Sequence, residues 1–273
     1  MAPYEMSGVA FVTGAGGGIG QASAVAFIQE GVQRIVLVDL KVDGLKETEA
    51  LLRAINSDVQ SVSITADISD EASVDKMISQ AAEAFGSIQY AVNCAGITSL
   101  PTKTTDLSLE AWDRVIHINL RGTWLCNRAL IKQMLKQEPV AEAEMRTTAR
   151  PERGSIVNIG SVVGPVGDPT SGSYAASKSG LMAQSRTDAA GYGNDGIRVN
   201  SICPGVILTP MLKHSMSTGA PYQKLLDTVP INRFGKPEEV AQACVFLAST
   251  RASFITGAEI VVDGGLINSL RAF

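Results

Sequence analysis

Short apolar runs alternate with longer stretches of helical periodicity along almost the whole chain of 273 residues. Val9-Ala10-Phe11-Val12 reads as a buried strand, and a helical pattern follows from Ile19 to Gln29. Ile35–Val38 is a second continuous apolar run, with a helix over Leu45–Ile55. Val62–Ile64 and Ala91-Val92 are the next strand candidates, separated by a helical stretch over Glu71–Phe85. Ser155–Ile159, Arg198–Ile202 and Glu259–Val262 complete a set of seven. Such runs suit strands covered on both sides, and parallel neighbours need crossovers that helices supply. The pattern predicts an α/β fold: a doubly wound, seven-stranded parallel sheet with helices on both faces, in one domain over 1–273.

One stretch breaks the rhythm. Between Lys136 and Arg153, eight of eighteen residues are charged and two are proline, Pro139 and Pro151. Because the strand–helix pattern resumes afterwards, 136–153 reads as a surface insertion rather than a linker. Composition narrows the function classes. Charged residues make up 18% of the chain against 45% hydrophobic, which excludes disorder as the main state. A net charge of −4 with no basic run excludes a phosphate-backbone binder, so no nucleic-acid partner is expected. No apolar run approaches the ~18 residues of a membrane span, and a glycine-rich motif beginning at Thr13 leaves no room for a cleavable signal peptide. A soluble, cytoplasmic protein is expected. Cys94, Cys126, Cys203 and Cys244 form no CxxC pair, and three of them sit in apolar surroundings and read as small apolar residues. His117 and His214 lack ligand spacing, so no metal is expected; Trp112 and Trp124 read as packing residues.

Thr13-Gly14-Ala15-Gly16-Gly17-Gly18-Ile19-Gly20 joins the first strand to the first helix. Glycines admit positive φ and let backbone N–H groups approach a ligand with no Cβ between them. A helix starting there offers unpaired N–H groups and a positive dipole end to an anion such as a pyrophosphate. The spacing is T-G-x-x-x-G-x-G, anchored on Thr13, Gly14, Gly18 and Gly20, not G-x-G-x-x-G. Asp39 ends the second strand nineteen residues after Gly20, where a carboxylate accepts from ribose hydroxyls. A 2′-phosphate would be repelled there, and Leu40 rather than arginine follows, so NAD is favoured over NADP.

Tyr174-Ala175-Ala176-Ser177-Lys178 places a phenol and an amine four residues apart on one helix face. Free tyrosine, with pKa near 10, is a poor base at neutrality, and a nearby cation favours the phenolate. The pair suits proton exchange with an alcohol or ketone oxygen. Ser161 lies just beyond the strand Ser155–Ile159, at the carboxyl end where α/β sheets hold ligands. Asn119, in the helical stretch Val115–Leu120, is a further polar residue in apolar surroundings.

In order and spacing, Thr13–Gly20, Asn93-Cys94-Ala95-Gly96, Asn119, Ser161, Tyr174/Lys178 and Pro204-Gly205 resemble the classical short-chain dehydrogenase/reductase family. The likeness runs from Gly8 to about Asp263-Gly264-Gly265 and takes in Asn232–Val240. It implies a Rossmann fold and an oxidoreductase in which Tyr174 is the general acid/base. It further implies that Lys178 lowers the tyrosine pKa and binds the nicotinamide ribose, that Ser161 orients the substrate carbonyl, and that Asn119 holds a water beside Lys178. Asp67 and Ile68 match the adenine position, Asn93 the position that stabilises the sheet, and Ala95 and Gly96 the cofactor lining. Ile207 and Thr209, after Pro204-Gly205, match the carboxamide position. Cys94 stands where the family has asparagine, and Gly160 where it has serine; no catalytic group is lost.

On the substrate side, 206–228 is expected to close over the pocket, with Val206 and Met211 contributing, while Val162, Val163, Pro165 and Val166 wall it beside Ser161. The expected substrate is a mid-sized, largely apolar small molecule, a secondary alcohol or ketone. The alternatives are an NADP(H)-dependent ketoreductase, a protein of this fold doing non-redox chemistry, and a scaffold. The resemblance also implies a homo-oligomer, a tetramer or dimer.

Overall fold

The computed structural model describes residues 6–139, 151–217 and 226–270. Seven strands form one sheet: β1 (Val9–Thr13), β2 (Arg34–Asp39), β3 (Gln60–Thr65), β4 (Tyr90–Asn93), β5 (Gly154–Ile159), β6 (Ile197–Pro204) and β7 (Glu259–Val262). Their order is β3-β2-β1-β4-β5-β6-β7, and every pairing is parallel. The chain winds outward from β1 to β3, then restarts at β4 on the other side of β1. The strand order therefore reverses between β1 and β4, and at such a reversal the carboxyl ends open a crevice.

Helices α1 (Gly18–Gln29), α2 (Val42–Ile55), α3 (Glu71–Phe85), α4 (Leu109–Val115), α5 (Thr123–Met134), α6 (Val163–Val166), α7 (Gly172–Tyr192), α8 (Pro210–Ser217), α9 (Pro237–Ala248) and α10 (Leu266–Leu270) connect the strands. One face of the sheet, with Ala10, Val12, Leu37 and Val157, packs against α1, α2 and α9. The other, with Phe11, Val36, Ala91 and Ile156, packs against α3, α5 and α7. Alternate residues of one strand thus feed opposite cores, which is why β1 is apolar throughout. Each buried Phe, Leu or Ile contributes about 1.5–3 kcal/mol, so the crevice is mounted on the most heavily buried part of the molecule.

Several boundaries move. The run Val62–Ile64 extends to Gln60–Thr65 because the flanking polar residues pair with Arg34 and Asp39. The helical stretch around Asn119 is a wide π-type turn, Ile116–Gly122, between α4 and α5. The two tryptophans are corrected: Trp112 is 36% and Trp124 40% exposed, and neither enters the core. Trp124 lies under the Arg128 guanidinium, 5.6 Å from its ring centroid. Cys126, Cys203 and Cys244 are buried and unbridged, as apolar surroundings predicted.

Of the charged stretch 136–153, residues 140–150 lie outside the described residues. Its flanks are pinned together. Gln137 accepts from Ile88 N at 3.0 Å and donates to Ile88 O at 2.7 Å and Arg153 O at 2.6 Å. These contacts lie at the amino ends of β4 and β5. Nearby, Arg198 on β6 is buried against Glu152 at 3.0 Å and donates to the carbonyls of Leu247, Ala248, Ser249 and Ile255.

Candidate active site

The crevice begins at the turn after β1. Gly14 and Gly18 have φ of +69° and +54°, values that favour glycine. A Cβ on Gly14 would lie 2.8 Å from Ala95 N, and one on Gly20 would overlap the Gly14 carbonyl. The α1 amino terminus has no side-chain cap and no acidic residue in its first turn, so its N–H groups face the crevice uncompeted. Ile19 packs partly buried on the core below. Thr13 closes the turn from beneath, its Oγ1 accepting from Ala95 N at 3.2 Å.

Asp39 at the end of β2 is held by backbone donors. Its Oδ2 accepts from Gly16 N and its Oδ1 from Lys41 N, each at 2.9 Å. A Cβ on Gly16 would press within 2.9 Å of that carboxylate. From the other side, Thr209 approaches α1: its Cγ2 lies 3.4 Å from where a Gly18 Cβ would be. Ile207 is buried and bridges to Gly235. Pro204 O accepts from Val162 N at 3.1 Å, and Gly205 is packed against Asp263. A backbone-lined turn that tolerates no Cβ, an uncapped helix end and a fixed carboxylate fit a dinucleotide: diphosphate on α1, ribose at Asp39.

Across the crevice, α7 carries Tyr174 and Lys178. Lys178 is 6% exposed, and its Nζ donates to Ile159 O at 2.7 Å and lies 5.7 Å from the Tyr174 ring centroid. Burial lowers its pKa to about 8. Asn119, buried in the π-type turn, clamps the strand exit: Oδ1 accepts from Ile97 N and Nδ2 donates to Ile97 O, both at 2.8 Å. Nδ2 also donates to Ser177 Oγ at 3.3 Å. A Cβ on Gly96 would lie 3.0 Å from Asn119 Oδ1 and 3.8 Å from Lys178 Nζ. Ser161 is 8% exposed on the loop after β5, where its Oγ accepts from Val163 N at 3.4 Å. The adjoining α6 is tied to α7 by Ser179 Oγ, which donates to Gly164 O at 2.8 Å.

Gly96, Asn119, Tyr174 and Lys178 therefore form one cluster, and Ser161 sits two residues beyond the carbonyl that holds Lys178. Val163 and Val206 are half-buried beside this loop, while Met211 is exposed on α8; residues 218–225 of the 206–228 segment lie outside the described residues. Asp67, Ile68 and Asn93 each have partners within the protein. Asp67 spends its Oδ1 on Ser69, accepting from N at 2.9 Å and from Oγ at 2.7 Å. Ile68 is buried under Gly122. The Asn93 side chain turns into the sheet, away from the crevice, and donates to Asn127 and Asn158. That buried amide system, which continues to Asp188, carries no spacing signal in the sequence.

Lys178 yields a stability prediction with a definite sign. A buried lysine whose pKa falls from 10.5 to about 8 costs stability wherever both folded and unfolded chains keep it charged, below pH 8. The cost fades as pH rises from 8 to 10.5, because the folded state has already released its proton. Lys178→Met is expected to melt higher than wild type at pH 7, with the gap shrinking towards pH 10; melting curves across that range test it.

The fold and this cluster define a dinucleotide-binding α/β protein with a phenol–amine pair at the mouth of its crevice. The family model described as Enoyl-(Acyl carrier protein) reductase matches residues 14–267. A protein of Neurospora crassa named "Short-chain dehydrogenase srdC" is 35% identical over 96% of this chain and 97% of its own. The "2-(S)-hydroxypropyl-CoM dehydrogenase 3" of Xanthobacter autotrophicus is 36% identical over 93% of this chain and 94% of its own. A solved levodione reductase superposes with a TM-score of 0.87 at 33% identity, covering 96% of this chain and 97% of its own. The chain belongs to the short-chain dehydrogenase/reductase family, a family of oxidoreductases.

Proposed function

We propose that the protein is a single-domain NAD(H)-dependent oxidoreductase interconverting a secondary alcohol and its ketone, with Tyr174 as general acid/base. The observation that carries this reading is the buried Lys178 amine 5.7 Å from the Tyr174 ring at the carboxyl end of β5. The cofactor, when bound, accepts or donates the hydride. Tyr174 Oη takes the proton from the substrate hydroxyl on oxidation and returns it to the carbonyl oxygen on reduction. The charged form of Lys178 favours the phenolate, and its hold on Ile159 O keeps it beside the phenol. Ser161 Oγ donates to the substrate oxygen and fixes it against Tyr174. Asn119, through both polar atoms of Ile97, keeps the Gly96 wall in place. The relatives' names, which include a dehydrogenase of a secondary alcohol, support this reaction class.

Asp39 supports NAD over NADP. With Gly16 N and Lys41 N already bonded, its remaining lone pairs meet ribose hydroxyls, and a 2′-phosphate would face a carboxylate. Asp39→Ala is expected to weaken NAD and strengthen NADP, shifting their Kd ratio by roughly tenfold or more, since one charge-assisted hydrogen bond contributes about 1.5–3 kcal/mol. Titration with both dinucleotides checks this, and an unchanged ratio would refute ribose recognition by Asp39.

The exposed apolar side chains Leu109, Trp112, Trp124 and Leu135 on α4, α5 and the turn beyond favour a homo-oligomer. Light scattering is expected to give a dimer or tetramer. A monomer at micromolar concentration would overturn this.

A further inference from the structure

Five polar side chains cross the core below the crevice, on the α5/α7 face of the sheet. Asn93 on β4 and Asn158 on β5 are register partners. Asn93 Nδ2 donates to Asn158 Oδ1 and to Asn127 Oδ1 on α5, each at 2.9 Å. Asn158 Nδ2 donates to Ser185 Oγ at 2.9 Å, and Asn127 Nδ2 donates to Asp188 Oδ2 at 3.0 Å, both on α7. Asp188, 7% exposed, accepts from Gln184 Nε2 on its other oxygen at 2.9 Å.

The direction of this chain is forced from one end. A carboxylate only accepts, so Asn127 must turn its NH2 to Asp188 and its oxygen to Asn93. Asn93 must then donate, which uses both its amide hydrogens and leaves its buried Oδ1 without a partner. An orphaned buried acceptor is costly, and here it follows from the polarity that Asp188 imposes. The two strands held this way lead directly into the site: Asn93 into Ala95-Gly96, and Asn158 into Ile159, whose carbonyl binds Lys178, and Ser161.

We propose that Asp188 is a positioning residue for the cofactor crevice, acting through Asn127, Asn93 and Asn158 to hold the carboxyl ends of β4 and β5. The inference rests on the dinucleotide reading above, because its effect is read as cofactor affinity. Asparagine at 188 can still present its carbonyl to Asn127 while Gln184 turns its amide over, so the chain keeps its direction. Leucine at 188 leaves Asn127 Nδ2 without an acceptor.

The test is calorimetric titration of the full-length protein with NAD and with NADP. It compares wild type, Asp188→Asn, Asp188→Leu and Met134→Ala, the last a core truncation on the same sheet face at the far end of α5. Asp188→Leu is expected to weaken the preferred dinucleotide by roughly three- to thirtyfold. Asp188→Asn should stay within twofold of wild type, and Met134→Ala should lower Tm without changing Kd. Equal affinity in Asp188→Leu and wild type overturns the proposal, as does an equal loss in Asp188→Asn and Asp188→Leu or in Met134→Ala. The role of Asp188 is thus read from ratios between variants, whereas the dinucleotide reading stands or falls on the wild type. Wild-type protein that binds neither dinucleotide overturns both.

Discussion

Tyr174→Phe is expected to bind the dinucleotide as wild type does and to lose turnover by roughly 10²–10⁴-fold, the usual contribution of a placed acid–base group. The substitution removes one oxygen and leaves the ring against which Lys178 stands at 5.7 Å. The proposed diphosphate and ribose contacts belong to the Gly14–Gly20 turn and Asp39, on the far wall of the crevice, so Kd should hold. Screening secondary alcohols and ketones with both dinucleotides identifies a substrate, and NADH absorbance then gives the rate. Comparable turnover in the two proteins would remove Tyr174 from the mechanism. Product formed without matching change in NADH would instead favour non-redox chemistry on the same scaffold.

The largest loss of stability is expected from Arg198→Met. Arg198 meets the Glu152 carboxylate at 3.0 Å and four carbonyls, Leu247 and Ala248 from the last turn of α9 among them. It therefore neutralises a buried anion and caps the negative end of a helix dipole. Removing one partner of a buried pair costs about 3–5 kcal/mol, because the other charge is left uncompensated. At about 2–4 °C per kcal/mol for a chain of this size, Tm should fall by roughly 10 °C.

The loss should depend on pH. Burial already raises the Glu152 pKa above 4.5, with Arg198 pulling the other way, and without the arginine it rises further. A carboxyl whose folded pKa exceeds its unfolded value contributes stability below the unfolded pKa and loses it as pH rises through the folded one. The deficit of Arg198→Met should therefore be smaller near pH 4.5 than at pH 7, by urea unfolding at both. Arg198→Met/Glu152→Met should recover part of the loss. A single variant as stable as wild type at pH 7 would show that the pair contributes nothing.

What the sequence disclosed followed from locality. The strands were legible because a parallel sheet covered on both sides demands consecutive apolar residues, as in Val9–Val12 and Ile35–Val38. The glycine turn, Asp39 and Tyr174/Lys178 were legible because each acts over a few residues or ends a recognisable run. Where geometry depends on distant partners, the pattern was silent. Asn127 meets Asp188 sixty-one residues away, and neither differs in type from a surface polar residue. The π-type turn at Ile116–Gly122 uses residues that an α-helix accepts equally well, so Asn119 could be noticed while the wide turn that carries it could not. Trp112 and Trp124 read as packing residues, but both remain more than a third exposed on their helices.

The Gln137 clamp also bears on where the charged excursion leaves and rejoins the fold. By joining Ile88 to Arg153, one side chain staples the entry and exit of the charged excursion at the floor of the sheet. A strand's length, roughly 17–20 Å, separates that staple from the chemistry above. Gln137 and Arg153 are thus held at the opposite end of the strands from the proposed substrate and cofactor positions.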